Sequence, residues 1–110
     1  MPDTTAISTD ADHITLINVF TCAADRQEDL VAALEDATVD IFVHMPGFIS
    51  ANIHASLDRT RVVNYAQWAS VEDFEASRCN GGVQRHMAQI MSLATSADPR
   101  LFTVRAVHHR

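Results

Sequence analysis

At 110 residues, 47% of them apolar, the chain has the size and composition of one globular domain, too short for two and too apolar to be disordered throughout. Its net charge of −6 comes from fourteen acidic residues against eight arginines and no lysine, a poor match for nucleic acid, where phosphate neutralisation dominates affinity. Residues 1–58 hold ten acids and only Arg26, whereas residues 59–110 hold four acids and seven arginines, so the second half either scatters solvated arginines or offers one to an anionic or enolate-like group.

Residues 1–12 are acidic and polar, without the basic and apolar regions of a signal peptide, and read as a disordered tail ahead of one domain over residues 13–110. No apolar run approaches the roughly 18 residues that cross a bilayer, which argues against a membrane partner. Cys22 and Cys79 show neither Cys-x-x-Cys nor zinc-like spacing, and the simplest reading is two free thiols in a cytoplasmic protein.

The run from Ile14 to Thr21 is β-branched and apolar, a first strand buried on both faces. From about Asp25 the period changes: Leu30, Leu34, Ala37, Ile41 and Met45 recur at threes and fours, which predicts a long amphipathic helix stopped at Pro46-Gly47. Phe48 to Leu57 is a second strand, with Ile49, Ala51, Ile53, Ala55 and Leu57 alternating against Ser50, Asn52, His54 and Ser56. Asp58-Arg59-Thr60 connects it to a third strand, Arg61 to Ala69. Ser70 is the predicted N-cap of the next helix, with Asp73 at the capping-box position. Asn80-Gly81-Gly82 breaks that helix, a second segment runs from about Val83 to Ala94, and Asp98-Pro99 is expected to turn the chain into a fourth strand from Leu101 to His108.

The order β-α-β-β-α-β predicts an α+β, ferredoxin-like split sheet with helices on one face. Helices cover only that face, yet the strands carry apolar residues on both. A second copy of the chain is the economical cover, and a homodimer packed sheet to sheet is expected.

The third strand carries the most informative polar residues. Side chains alternate along a strand, so Asn64, Ala66 and Trp68 share one face and Val63, Tyr65 and Gln67 the other. In the first strand, Asn18 falls in register with Leu16 and Phe20. Each such residue could be a core amide bonded to backbone, but an apolar wall with a few fixed polar groups is also what small-molecule pockets look like. Arg85, in the broken helix, becomes a fixed cation for a developing oxyanion if it turns inward. His54 and His86 are the candidate bases, since imidazole titrates near neutrality. No metal site is expected: His-Glu-x-x-His and His-x-His are absent, and Gly81-Gly82 lacks the pattern of a dinucleotide loop.

The segment His54-Ala55-Ser56 through Val62-Val63-Asn64-Tyr65-Ala66-Gln67-Trp68, with the turn Met45-Pro46-Gly47-Phe48, resembles the antibiotic biosynthesis monooxygenase family over roughly residues 14–108. The likeness is strongest to its small cofactor-free members, which form quinones from anthrones in aromatic polyketide pathways. The resemblance implies a dimeric α+β barrel, an aromatic polyketide substrate, O2 as co-substrate and no cofactor. It places catalytic roles on Asn64, Trp68, Arg85 and Asn18; His54, Phe74 and His86 are expected beside them as substrate-binding residues. Some members carry tyrosines where this chain has Phe74 and Ile53, so a step through a tyrosine hydroxyl is not carried over. Relatives of the same fold also degrade haem with an asparagine, a tryptophan and an axial histidine, whereas here the comparable segment offers Arg78 and reaches His86 only later. A non-catalytic polyketide-binding module is the third reading.

Overall fold

A computed structural model describes residues 3–10 and 12–110. Four strands, β1 (Ile14–Thr21), β2 (Phe48–Ala55), β3 (Arg61–Trp68) and β4 (Ser96–Phe102), form one antiparallel sheet in the order β2-β3-β1-β4. Helices α1 (Gln27–Asp40), α2 (Val71–Arg78) and α3 (Gly81–Leu93) supply the cover. This is the ferredoxin-like α+β arrangement, with the second crossover helix broken in two.

Register fixes which side chains meet. Leu16 faces Ala66, Asn18 faces Asn64 and Phe20 faces Val62 across β1 and β3. Those residues share a sheet face with Ala51 and Ile53 of β2 and with Ala97, Pro99 and Leu101 of β4. Phe20, Val62, Leu30, Ala37 and Ile90 are fully or almost fully buried between that face and α1 and α3. A second cluster gathers Leu16, Ala66 and Trp68, with Phe42, Phe48 and Phe74 packed against it.

Local chemistry explains most boundaries. Ser70 caps α2 by accepting from the Asp73 backbone N–H at 3.1 Å, and Asn80 caps α3 by accepting from Gly82 and Val83 at 2.8 and 3.2 Å. The asparagine thus starts α3 at Gly81, two residues before the expected Val83. Gly47 takes φ +80°, which suits glycine, and its carbonyl accepts from Ala69 N–H at 2.7 Å to tie the β2 entry to the β3 exit.

Three expectations are corrected. The first helix ends at Asp40 rather than Met45: Ile41 leaves helical geometry at φ −136°, and Phe42–His44 form a 3-10 turn. That break turns the Phe42 ring edge-on to Trp68, 6.2 Å between centroids. The fourth strand begins at Ser96 and ends at Phe102, so Asp98 and Pro99 lie inside it rather than before it. Proline is tolerated because β4 is an edge strand and its missing N–H can face away from the ladder. In β2 the register shifts between Phe48 and Ser50, which leaves Ile49 40% exposed, and Leu57 lies wholly exposed in the hairpin instead of on the apolar face.

The outer sheet face carries Ile17, Val19, Val63 and Tyr65, all half-buried. Part of the segment expected to be a free tail lies against it. The Thr5 hydroxyl donates to Asn52 Oδ1, and Gln67 Nε2 donates to the Ala6 carbonyl at 2.8 Å. Met1, Pro2 and Ala11, which also belong to that expected tail, lie outside the described residues.

Candidate active site

Between the helix-facing side of the sheet and α1, α2 and α3 lies a cavity of about 310 Å³. Its wall is mostly apolar and aromatic: Leu16, Phe20, Phe42, Phe48, Ala66, Phe74, Val83 and Met87 contribute. The polar exceptions are Asn18, Asn64, Trp68, Ser77, Arg78 and Gln84. A volume near 300 Å³ is the lower end of small-molecule sites, and a greasy wall with a few polar groups is their usual chemistry.

Three of those groups are unpartnered. Asn18 Oδ1, Asn64 Oδ1 and Trp68 Nε1 are buried and make no hydrogen bond among the described residues. The contrast with other buried polar side chains is informative. Gln27 donates to the Ser56 and Arg61 carbonyls at 3.0 and 2.9 Å, Gln67 pairs with Ala6 and Ser50, and Ser77 donates to the Phe74 carbonyl at 2.6 Å. The fold therefore satisfies buried amides where they serve structure. A buried polar group left unmade costs about 1–3 kcal/mol, so three in one wall together amount to a large fraction of a domain's net stability.

Position in the sheet concentrates these groups. Asn18 and Asn64 stand directly opposite each other on β1 and β3, where facing side chains are close neighbours. Trp68 lies at the far end of β3 and is held by three rings: Phe48 at 5.5 Å, Phe74 at 6.0 Å and Phe42 at 6.2 Å, each edge to face or nearly so. The indole is therefore locked in direction while its N–H remains free.

Four of the expected site residues meet at this cavity: Asn18, Asn64, Trp68 and Phe74. Three do not. Arg85 lies in a separate surface depression with Asp40, Ile41, Gly82, His86 and Gln89. It sits two positions from both Val83 and Met87, which face the cavity, and two helical positions are about 200° apart around the axis. His86 shares that depression, with Nε2 3.8 Å from Asp40 Oδ2. His54 pairs with Val63 and so points to the outer sheet face, where Nδ1 lies 3.2 Å from the Asn52 carbonyl. Neither histidine reaches the cavity as a base. Among the described residues no histidine lines it, which leaves the haem-degrading alternative without its axial ligand.

Residues not anticipated from the sequence also line the wall: Phe42, Phe48, Ser77, Arg78, Gln84 and Met87. Arg78 was signalled by helical spacing, being four residues after Phe74 and hence on the same side of α2. Its guanidinium carbon lies 5.8 Å from the Phe74 ring centroid. Phe42 gave no sequence signal, since its orientation depends on where α1 stops. The two thiols play no part: Cys79 is exposed, and burial raises the pKa of Cys22 and keeps it protonated. Among the described residues no group of three or more His, Cys, Asp or Glu side chains is placed to hold a metal ion, and no helix is long and apolar enough to cross a membrane.

Comparison with known proteins identifies the family and the fold. The model of the antibiotic biosynthesis monooxygenase family matches residues 13–89. Tetracenomycin-F1 monooxygenase of Streptomyces glaucescens is 43% identical over 88 residues, 80% of this chain and 79% of that protein. Among solved structures, SnoaB, a cofactor-independent oxygenase from Streptomyces nogalater, superposes with a TM-score of 0.72 at 27% identity, covering 88% of this chain and 97% of its own. Rv0793 from Mycobacterium tuberculosis shares the fold with a TM-score of 0.74 at 17% identity, over 88% of this chain and 99% of that one. The chain belongs to the antibiotic biosynthesis monooxygenase family and is an enzyme, an oxidoreductase.

Proposed function

We propose that this enzyme is a cofactor-independent monooxygenase that oxidises an anthrone- or naphthacenone-type aromatic polyketide to a quinone with O2. The observation that carries this reading is the trio of unpartnered polar atoms on Asn18, Asn64 and Trp68 in an otherwise apolar, aromatic wall. The likeness to the tetracenomycin-F1 monooxygenase of S. glaucescens and to SnoaB, a cofactor-independent oxygenase, supports a cofactor-independent monooxygenase.

An anthrone has an acidic CH2 beside two aromatic rings. Loss of one proton gives a conjugated enolate, which can pass one electron to O2. Recombination of the carbon radical with superoxide forms a C–O bond, and protonation gives a hydroperoxide. Loss of the second C–H proton with the outer oxygen as water leaves the quinone carbonyl. The substrate supplies all the electrons, so one O2 yields one quinone and one water with no external reductant.

What the protein contributes is placement and charge stabilisation in a site shielded from water. The Trp68 N–H and the side-chain N–H groups of Asn18 and Asn64 donate to the oxygen that becomes negative in the enolate. The two amide carbonyls accept from phenolic hydroxyls of the substrate, and the rings of Phe42, Phe48 and Phe74 bound its plane. No carboxylate or imidazole among the described residues lines the cavity. The first proton therefore passes to water at the mouth, and the donors act by lowering the substrate's own pKa.

The test is oxygen uptake by chelator-treated, colourless protein supplied with an anthrone, with one labelled oxygen atom from O2 expected in the quinone. Trp68→Phe and Asn64→Ala should each lower turnover at least tenfold, as loss of a donor to a developing oxyanion does. Unchanged turnover in both variants would refute the assigned roles.

We infer further that the catalytic unit is a single domain over residues 13–110, working in the cytoplasm as a homodimer. The unbridged Cys22 and Cys79 support a reducing compartment. The half-buried Ile17, Val19, Val63 and Tyr65 on the face without helices support a second copy packed sheet to sheet. Sedimentation of Tyr65→Glu beside the unaltered protein decides this: a dimer that becomes a monomer upholds it, and a monomer in both rejects it.

A further inference from the structure

The cavity wall carries two chemically different sets of polar groups. The unpartnered atoms of Asn18, Asn64 and Trp68 lie on the sheet, whereas Arg78 lies on the last turn of α2 and is the one charged side chain among the described residues that line the wall. Edge-packed rings connect them. The Trp68 and Phe74 centroids are 6.0 Å apart, and the Arg78 guanidinium carbon is 5.8 Å from the Phe74 centroid. The two steps place the cation no more than about 12 Å from the indole centroid, within reach of a substituent on a fused-ring skeleton that also touches Trp68.

Arg78 is also available. Its side chain is 62% exposed, and its ion-pair partner, Glu75 Oε2, is 3.6 Å away and itself 54% exposed. A solvent-screened pair between neighbouring turns is worth little and yields readily to a better acceptor. A guanidinium held against an aromatic face keeps its planar fork of donors, which matches a carboxylate in two parallel hydrogen bonds.

From these observations we propose that Arg78 is a specificity subsite for a carboxylate on the substrate whose oxygen is held by Asn18, Asn64 and Trp68. The proposal rests on the reading that a flat aromatic polyketide occupies the cavity. It names the substrate class within that reading: fused-ring acids, favoured over their esters and over unsubstituted ring systems. Glu75 opposes the subsite, because the incoming carboxylate must displace it.

Trp68 is the only tryptophan in the chain, so its fluorescence reports cavity occupancy directly. The experiment titrates the unaltered protein, Arg78→Gln and Glu75→Gln with an anthraquinone carboxylic acid and with its methyl ester. For the unaltered protein, the acid should bind three- to tenfold more tightly than the ester, the range expected of a half-exposed charge-assisted pair. Arg78→Gln should lower affinity for the acid by that factor and for the ester less than twofold. Glu75→Gln should tighten the acid about twofold, and raising the salt to 1 M should narrow the gap between acid and ester. Equal binding of acid and ester by the unaltered protein, or equal loss of both in Arg78→Gln, would overturn the subsite while leaving the cavity reading intact. Failure of both ligands to quench Trp68 would remove the cavity reading, and the subsite with it.

Discussion

Replacing Asn64 by leucine separates a structural amide from a functional one, because the two roles predict opposite changes in stability. Leucine has nearly the shape of asparagine and no polar atom. The Asn64 carbonyl oxygen is buried without a partner, and the residue faces Asn18 on β1 and Ile53 on β2. Removing an unsatisfied buried group releases about 1–3 kcal/mol of desolvation cost, and the leucine methyls gain contact with Ile53. At roughly 4 °C per kcal/mol for a domain of this size, Asn64→Leu should raise Tm by about 4–12 °C. Turnover should fall by ten- to a hundredfold, because a donor to the developing oxyanion is lost. Scanning calorimetry and oxygen uptake on the same preparation read both quantities. Asn18→Leu should behave alike, and the double variant should be less than additive, since the two side chains meet across one strand pair. A fall in Tm of about 4 °C or more in Asn64→Leu, equivalent to about 1 kcal/mol, would refute the reasoning, because it would show that the amide holds the fold together.

Gln27 supplies the opposite case. Its amide bonds the Ser56 and Arg61 carbonyls and ties the start of α1 to the β2–β3 hairpin, so Gln27→Ala should destabilise by about 1–3 kcal/mol in chemical denaturation, two hydrogen bonds being lost while the carbonyls keep the Arg59 and Ser56 N–H groups as donors. Asp58 organises the hairpin turn through Ser56 and Thr60, and those hydrogen bonds lower its pKa to about 2. A carboxylate with a depressed pKa stabilises the fold above its unfolded value near 4 and loses that contribution as pH falls towards 2, so hydrogen-exchange protection factors at Thr60 and Arg61, corrected for intrinsic rate, should fall over that window and hold constant above it. Asp58→Asn should flatten this dependence. Arg85→Ala, on the helix side away from the cavity, should keep turnover within twofold, and a tenfold loss would restore the arginine to the site.

Most of the fold could be read from hydrophobic period alone. The switch from two to three-and-four spacing near Asp25 located α1, and alternation in Arg61 to Ala69 located β3 and assigned Asn64 and Trp68 to one face. What period could not supply was the end of an element. Ile41, Phe42 and Met45 continue an acceptable helical pattern, but tertiary contact of Phe42 with Trp68 outweighs it and breaks α1 at Asp40. Asp98-Pro99 has turn chemistry, yet an edge strand accommodates it through pairing of Pro99 with Asn18. Both failures share a cause: the local signal was weak, and a contact distant in sequence decided the outcome.

The two arginines show the reverse, a case where local geometry was sufficient and was outweighed by resemblance. Arg85 stands two residues from Met87, and residues two apart on a helix face opposite ways. Once Val83, Met87 and Ile90 define the buried side of α3, Arg85 must point away from it. Arg78 stands four residues after Phe74, a spacing that places two side chains one above the other. The cation that shares a wall with Asn18, Asn64 and Trp68 is therefore the one helical spacing selects. Its place on the short α2, next to a ring that is phenylalanine here and not tyrosine, gives the cavity wall a charged group, while its remaining polar groups are the uncharged donors and acceptors of Asn18, Asn64, Trp68, Ser77 and Gln84. On the proposed reading, a carboxylate held at Arg78 would orient the ring system relative to the amides, and that orientation would select which carbon meets O2.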